Sequence, residues 1–69
     1  MATKNLNRIK VMLAERNHTN KWLAEQIGKD PATVSKWVTN TSQPSIEMIL
    51  KIAAALECKY TELIREDEY

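Results

Sequence analysis

The sequence predicts an all-α fold, a compact five-helix bundle of 69 residues that contains a helix-turn-helix. Three observations predict it. With one Gly and two Pro, the chain lacks the punctuation of a loop-rich or all-β fold. Phe is absent and Val is scarce beside Leu, Ile, Ala, Lys and Glu, most of them strong helix formers. Apolar residues recur at three- and four-residue spacing in successive segments, between short polar breaks that supply cap residues.

The first helix is expected over about residues 5–16, with Leu6, Ile9 and Leu13 on one face and Met12 beside them. Asn17-His18-Thr19 breaks it. The second is expected over 20–27, with Thr19 as N-cap and Trp22, Leu23 and Ile27 as apolar contacts. Gly28 then stands where a left-handed C-cap is expected. The third starts after Asp30, a good N-cap. Pro31 takes the first helical position, where a missing N–H costs nothing. Val34, Trp37 and Val38 form its apolar stripe, and Trp37 is read as core. The polar loop from Asn40 to Pro44 follows, and Asn40 can end the helix because Asn tolerates the left-handed region. The fourth helix has Ser45 as N-cap and Glu47 in its first turn, where a negative charge suits the dipole. It runs through Ile46, Ile49, Ile52, Ala53 and Leu56. A short fifth helix over 60–64 is expected to bury Tyr60 and Leu63. The charged tail 65–69 is expected to fray.

This length admits one domain, 1–69, with its core over about 5–64. A core this small is marginal and leaves little room for a catalytic cleft. The single cysteine, Cys58, excludes an internal disulfide and reads as a small buried hydrophobe. The single histidine, His18, has no partner at metal spacing, so no metal or cofactor is expected. No apolar run approaches the ~20 residues of a membrane span, and no signal peptide is visible, so a cytoplasmic protein is expected. The sequence shows no nucleophile–base pair, no paired carboxylates in an apolar setting and no phosphate loop. It is therefore expected not to be an enzyme, and no small-molecule ligand is evident.

The net charge of +1 says little, but its distribution says more. Residues 1–44 carry seven basic and three acidic side chains, and residues 45–69 carry three basic and six acidic. Such a split suits one face turned to a polyanion and another turned away. The informative stretch runs from Asn20 to Trp37: two short helices joined by Gly28-Lys29-Asp30, with small Ala24 on the inner face of the first. Small residues at Ala24 and Gly28 let two helices approach at a steep crossing. The outer face of the second helix is short and uncharged or basic, at Ala32, Thr33 and Lys36. A helix entering a DNA major groove needs such a face, since acidic residues would meet phosphates.

The segment Thr19-Asn20-Lys21-Trp22-Leu23-Ala24-Glu25-Gln26-Ile27-Gly28 resembles the Thr-Gln-x-x-Leu-Ala-x-x-hydrophobic-Gly segment of the Cro/C1-type (Xre-like) regulators of phages and bacteria. Thr33-Val34-Ser35-Lys36-Trp37 resembles the recognition helix of that family. Pro44-Ser45-Ile46, the run from Ile49 to Leu56, and Tyr60-Thr61-Glu62-Leu63-Ile64 resemble its later segments, so the resemblance covers about residues 5–64. It implies a lambda-repressor-like five-helix fold with the third helix in the major groove of double-stranded DNA. Asn20 departs from the usual Gln but can still donate to a phosphate. The family often buries an Arg–Glu pair between its first and third helices, and the aligned Leu13 and Val38 are both apolar. An apolar pair can replace a buried ion pair at little cost.

The resemblance assigns expected roles. Lys36 reaches a guanine edge or a phosphate. Ala32 and Thr33 offer methyl groups to thymine, Thr33 can also hydrogen-bond, and Pro31 makes apolar contact only. Lys29 in the turn is a phosphate ligand, and Asn20 and Lys21 hold a phosphate at a helix N-terminus. Thr39, Asn40, Thr41 and Gln43 clamp the DNA backbone. Trp22 either packs on the first helix or lies near that backbone, and His18 packs, partly buried. A homodimer is expected, with Ile46, Met48, Leu50 and Ile64 as exposed contacts. The expected role is a transcriptional regulator, most often a repressor. The alternative is a protein-interaction module, such as an antitoxin or a restriction–modification controller, whose partner would be a toxin or a polymerase subunit.

Overall fold

The polar breaks and cap residues divide the chain into four α-helices and one 3-10 turn. The computed structural model describes residues 6–64. The elements are α1 (Ile9–Glu15), α2 (Asn20–Ile27), α3 (Pro31–Val38), α4 (Ile46–Leu56) and a 3-10 turn at Tyr60–Glu62. Thr19 caps α2, its hydroxyl accepting from the Trp22 amide at 3.0 Å. Ser45 caps α4 in the same way, accepting from the Met48 amide at 3.2 Å. Asp30 departs from its expected role. Its carbonyl starts α3, accepting from Val34 at 3.1 Å, but its carboxylate caps nothing.

All four helices end in the same way. A residue in the left-handed region follows each: Asn17, Gly28, Asn40 and Glu57, with φ of 58°, 69°, 62° and 54°. The next amide then reaches back five residues. His18 donates to Leu13, Lys29 to Ala24, Thr41 to Lys36 and Cys58 to Ala53, at 2.9 to 3.0 Å. These bonds satisfy carbonyls that a helix end leaves open. A side chain built on Gly28 would meet nothing within 4 Å, so this glycine serves the positive φ rather than a close approach of helices. Small size matters at Ala24, which is buried where α2 meets its neighbours.

One core unites the helices. Ile9, Leu23, Val34, Ile52 and Leu63 are its fully buried members, with Met12, Leu13, Trp37, Val38 and Leu56 around them. Leu13 and Val38 are both buried, so apolar packing occupies the positions of the expected family ion pair. Trp22 packs partly buried against this core. The His18 ring lies flat on the Trp22 indole, with centroids 3.5 Å apart and planes 6° from parallel.

Two expectations at the ends of the chain need correction. The fifth helix is a single 3-10 turn, and Leu63 is buried but Tyr60 stays 50% exposed. The first helix starts at Ile9, not near residue 5. Both have one cause: Asn7 and Ile64 pair in an antiparallel bridge, and the Arg8 amide donates to the Leu63 carbonyl at 2.8 Å. That pairing ties the two chain ends to each other, and Leu63 keeps helical dihedrals up to the bridge at Ile64. The expected tail at 65–69 lies outside the described residues.

Arg16 closes the other side of the bundle. Its Nε donates to the Leu56 carbonyl at 2.7 Å, placing a cation at the C-terminus of α4, where the helix dipole favours one. Cys58 nearby is half-buried against the core rather than fully enclosed. Burial pushes its thiol above the ordinary value, the Arg16 guanidinium pulls it down, and the Glu62 carboxylate pushes it up. Folding therefore favours the protonated thiol. That contribution is present below the pKa of the unfolded thiol and is lost as pH rises through the folded one.

Candidate nucleic-acid interface

Helices α2 and α3 pack on each other, and Leu23, Ala24, Val34, Trp37 and Val38 face inward to the core. Helical periodicity then decides what faces out. On α3 the exposed residues are Pro31, Ala32, Lys36 and, just past its end, Thr39, while Thr33 and Ser35 are half-buried. Lys36 sits in the last turn of α3, where the dipole suits a cation. Lys21 on α2 and Lys29 in the turn are also exposed, and Asn20 is half-buried at the first position of α2. Among the described residues the one ion pair is Arg16–Glu15 at 3.8 Å, so Lys21, Lys29 and Lys36 are not neutralised there. The helix-turn-helix therefore exposes a short-chained helix face and three cations that make no ion pair among the described residues, with the Asp30 carboxylate exposed in the same turn.

The loop after α3 differs from its expected arrangement. Asn40, expected in a backbone clamp, is only 6% exposed, and its amide is committed inside the protein. Its Oδ1 accepts from the Asn7 amide at 3.0 Å and from Gln43 Nε2 at 3.1 Å. Its Nδ2 donates to the Asn7 carbonyl at 3.3 Å. Asn7 completes the network: its Nδ2 donates to the Trp37 carbonyl and to Gln43 Oε1, both at 2.8 Å. Its Oδ1 accepts from the Ile9 amide at 3.1 Å, starting α1. The Asn40 side chain thus positions the loop from inside the protein, and the Gln43 amide is partly engaged in the same way.

Asn7, which holds this loop in place from inside, is the residue that the sequence reading missed. The available signal was local: Asn two residues ahead of Ile9, which opens the apolar stripe, is a helix-start signature.

Proton counting limits the two threonines. The Thr39 hydroxyl donates its one proton to the Ser35 carbonyl at 2.9 Å, or to Lys36 at 3.3 Å. It also lies 2.9 Å from the Thr41 hydroxyl, which must then be the donor of that pair. In this arrangement Thr41 offers lone pairs outward. It can donate to a phosphate only if it leaves Thr39 or Thr39 redirects its proton.

The apolar surface is elsewhere. Ile46 is 81% exposed and Leu50, one turn on along α4, is 51% exposed. Ile64 is also exposed, but Met48 is buried in the core and leaves the expected set of contact residues. Among the described residues no helix is long and apolar enough to cross a membrane. No group of three or more His, Cys, Asp or Glu is placed among them to hold a metal ion.

Comparison with known proteins agrees with this geometry. Residues 8–66 match the family model of the Cro/C1-type HTH DNA-binding domain. The chain is similar to a solved structure described as "a putative DNA-binding protein from Bacteroides fragilis". The two are 53% identical with a TM-score of 0.85, over 87% of this chain and 97% of the other. No curated protein matches the chain.

Proposed function

The chain belongs to the Cro/C1-type helix-turn-helix DNA-binding family, and from that premise we propose that it reads double-stranded DNA with α3 in the major groove and acts as a transcriptional regulator, by repression. The observation that carries this reading is the outward face of α3. It presents Ala32 and Lys36 with Thr33 half-buried beside them, and the same helix-turn-helix exposes Lys21 and Lys29, with no ion pair among the described residues to neutralise the three lysines.

Each side chain has a role in this reading. Lys36 donates to a guanine edge, Thr33 and Ala32 set methyl groups against thymine, and Pro31 packs against the groove wall. Asn20 and Lys21 meet a phosphate beside the amides that open α2, and Lys29 takes a neighbouring one. Thr41 donates to the backbone as the groove ends, its proton redirected from Thr39. The protein works in the cytoplasm as a binding module with no chemical step of its own.

Two copies act together. The longest dimension of the described part is 30 Å, less than the ~34 Å turn that separates half-sites. One copy therefore covers one half-site. The exposed Ile46 and Leu50 supply apolar area for a second copy. The same patch favours a second reading, in which a partner protein rather than another copy covers α4.

Lys36→Ala tests the placement of α3. The variant should lose about 1–3 kcal/mol of binding to its selected site, with relaxed preference at the base pair that Lys36 contacts. Titration of duplexes varied at each position reads this directly. Unchanged affinity and preference would put the recognition face somewhere other than α3.

A further inference from the structure

We propose that the groove between the start of α1 and the end of α3 is a second phosphate site, where Arg8 and Lys10 take a phosphodiester of the DNA backbone. The inference rests on the DNA-binding reading above and adds residues to it. The groove encloses about 300 Å³, and Arg8, Lys10 and Thr39 line it, with no acidic residue among its lining.

Charge supplies the first argument. Arg8 and Lys10 are both exposed, and neither makes an ion pair among the described residues. Within α1 the helix dipole does not account for them, although the groove also borders the C-terminal end of α3. They stand just before and just inside the N-terminus of α1, where the dipole disfavours cations and where no acidic residue balances them. Two like charges lining one groove repel each other, and an anion between them removes that cost.

The polar floor of the groove supplies the second argument. The amides of Asn7 and Asn40, which also line it, are engaged with each other, Trp37 and Gln43. The Thr39 proton is engaged with Ser35. The side-chain amides and the hydroxyl of the groove are thus engaged with one another, and Arg8 and Lys10 make no ion pair among the described residues. Arg8 offers a guanidinium fork that matches two phosphate oxygens, and Lys10 a point charge.

Position supplies the third. Thr39 follows Lys36 by three residues, so the groove continues the outer face of α3. Eight helical residues span about 12 Å, comparable with the width of the major groove. A helix lying in that groove therefore meets the sugar–phosphate wall near its end, where Arg8 and Lys10 stand.

The test is a salt titration of DNA binding by the full chain and by its Arg8→Gln/Lys10→Gln double variant. A selected duplex and an unrelated one are used, between about 50 and 200 mM salt. The expected variant melts at the wild-type temperature. Its slope of log affinity against log salt is smaller by about one, and at about 150 mM it binds both duplexes roughly fivefold more weakly. An unchanged slope in the variant, with wild-type binding still salt-dependent, overturns the site while leaving the DNA-binding reading intact. A loss confined to the selected duplex also overturns it, because a phosphate contact cannot distinguish sequences. A wild-type chain that binds neither duplex overturns the DNA-binding reading and this site with it.

Discussion

Leu23→Ala is expected to remove about 2–5 kcal/mol of folding stability, most of what a domain of this size has. Leu23 is fully buried, on the face of α2 that packs into the common core. The substitution removes apolar area from water-excluded packing and leaves a cavity that its neighbours fill only in part. A chain this short buries only about 60% of its unfolded surface, so it holds little in reserve. Urea unfolding should show a lower midpoint with an unchanged slope. The melting temperature should fall by roughly 10 °C or more, since each kcal/mol moves a domain of this size by about 4–8 °C. Leu50→Ala is the control. Leu50 is half-exposed, and the loss there should stay within about 0.5 kcal/mol. Equal effects at the two positions would contradict the packing of α2 against the core.

The second large effect is expected at Asn40, where two substitutions separate backbone from side chain. Asn40→Gly keeps the left-handed backbone at φ 62° but deletes the amide. The Asn7 amide and carbonyl then lose their partners in a buried setting, which costs about 1–3 kcal/mol. Asn40→Ala has the same loss and also forces a β-carbon into the left-handed region, adding about 1–2 kcal/mol. Chemical denaturation of both variants should therefore rank wild type above Gly above Ala. If Gly matches or exceeds wild type, the Asn7–Asn40 network contributes nothing net and the conformation alone matters. Asn7→Ala in each background measures the coupling directly.

These two residues mark what the sequence could and could not disclose. Leu23 lies in a helix whose bounds, N-cap and C-cap follow from neighbouring residues, and Thr19, Gly28 and Ser45 take the roles that their chemistry predicts. The positive φ of Asn40 was legible too, because Asn tolerates it. Its burial was not, because the partner, Asn7, is 33 residues away and pairing at that distance leaves no local pattern. The same gap explains the chain ends. The residues over 60–64 read as a helical turn on their own, and the bridge from Asn7 to Ile64 overrides them. Glu57 carried no hint of its left-handed cap, since Glu has no preference for that region and only the end of α4 imposes it. Within the interface, the outward positions of Ala32 and Lys36 follow once the apolar stripe of α3 is read. The Arg8–Lys10 groove was not, since it forms only when α1 meets α3.

Selection of bound fragments from a random duplex pool, at about 150 mM salt with competitor DNA, tests the central claim most directly. Sequence-specific reading by α3 in paired copies predicts enrichment of a two-fold symmetric site, with half-sites about one helical turn apart. Binding that is weak, salt-sensitive and enriches no sequence would contradict it, and would direct attention to a protein partner for the exposed face of α4.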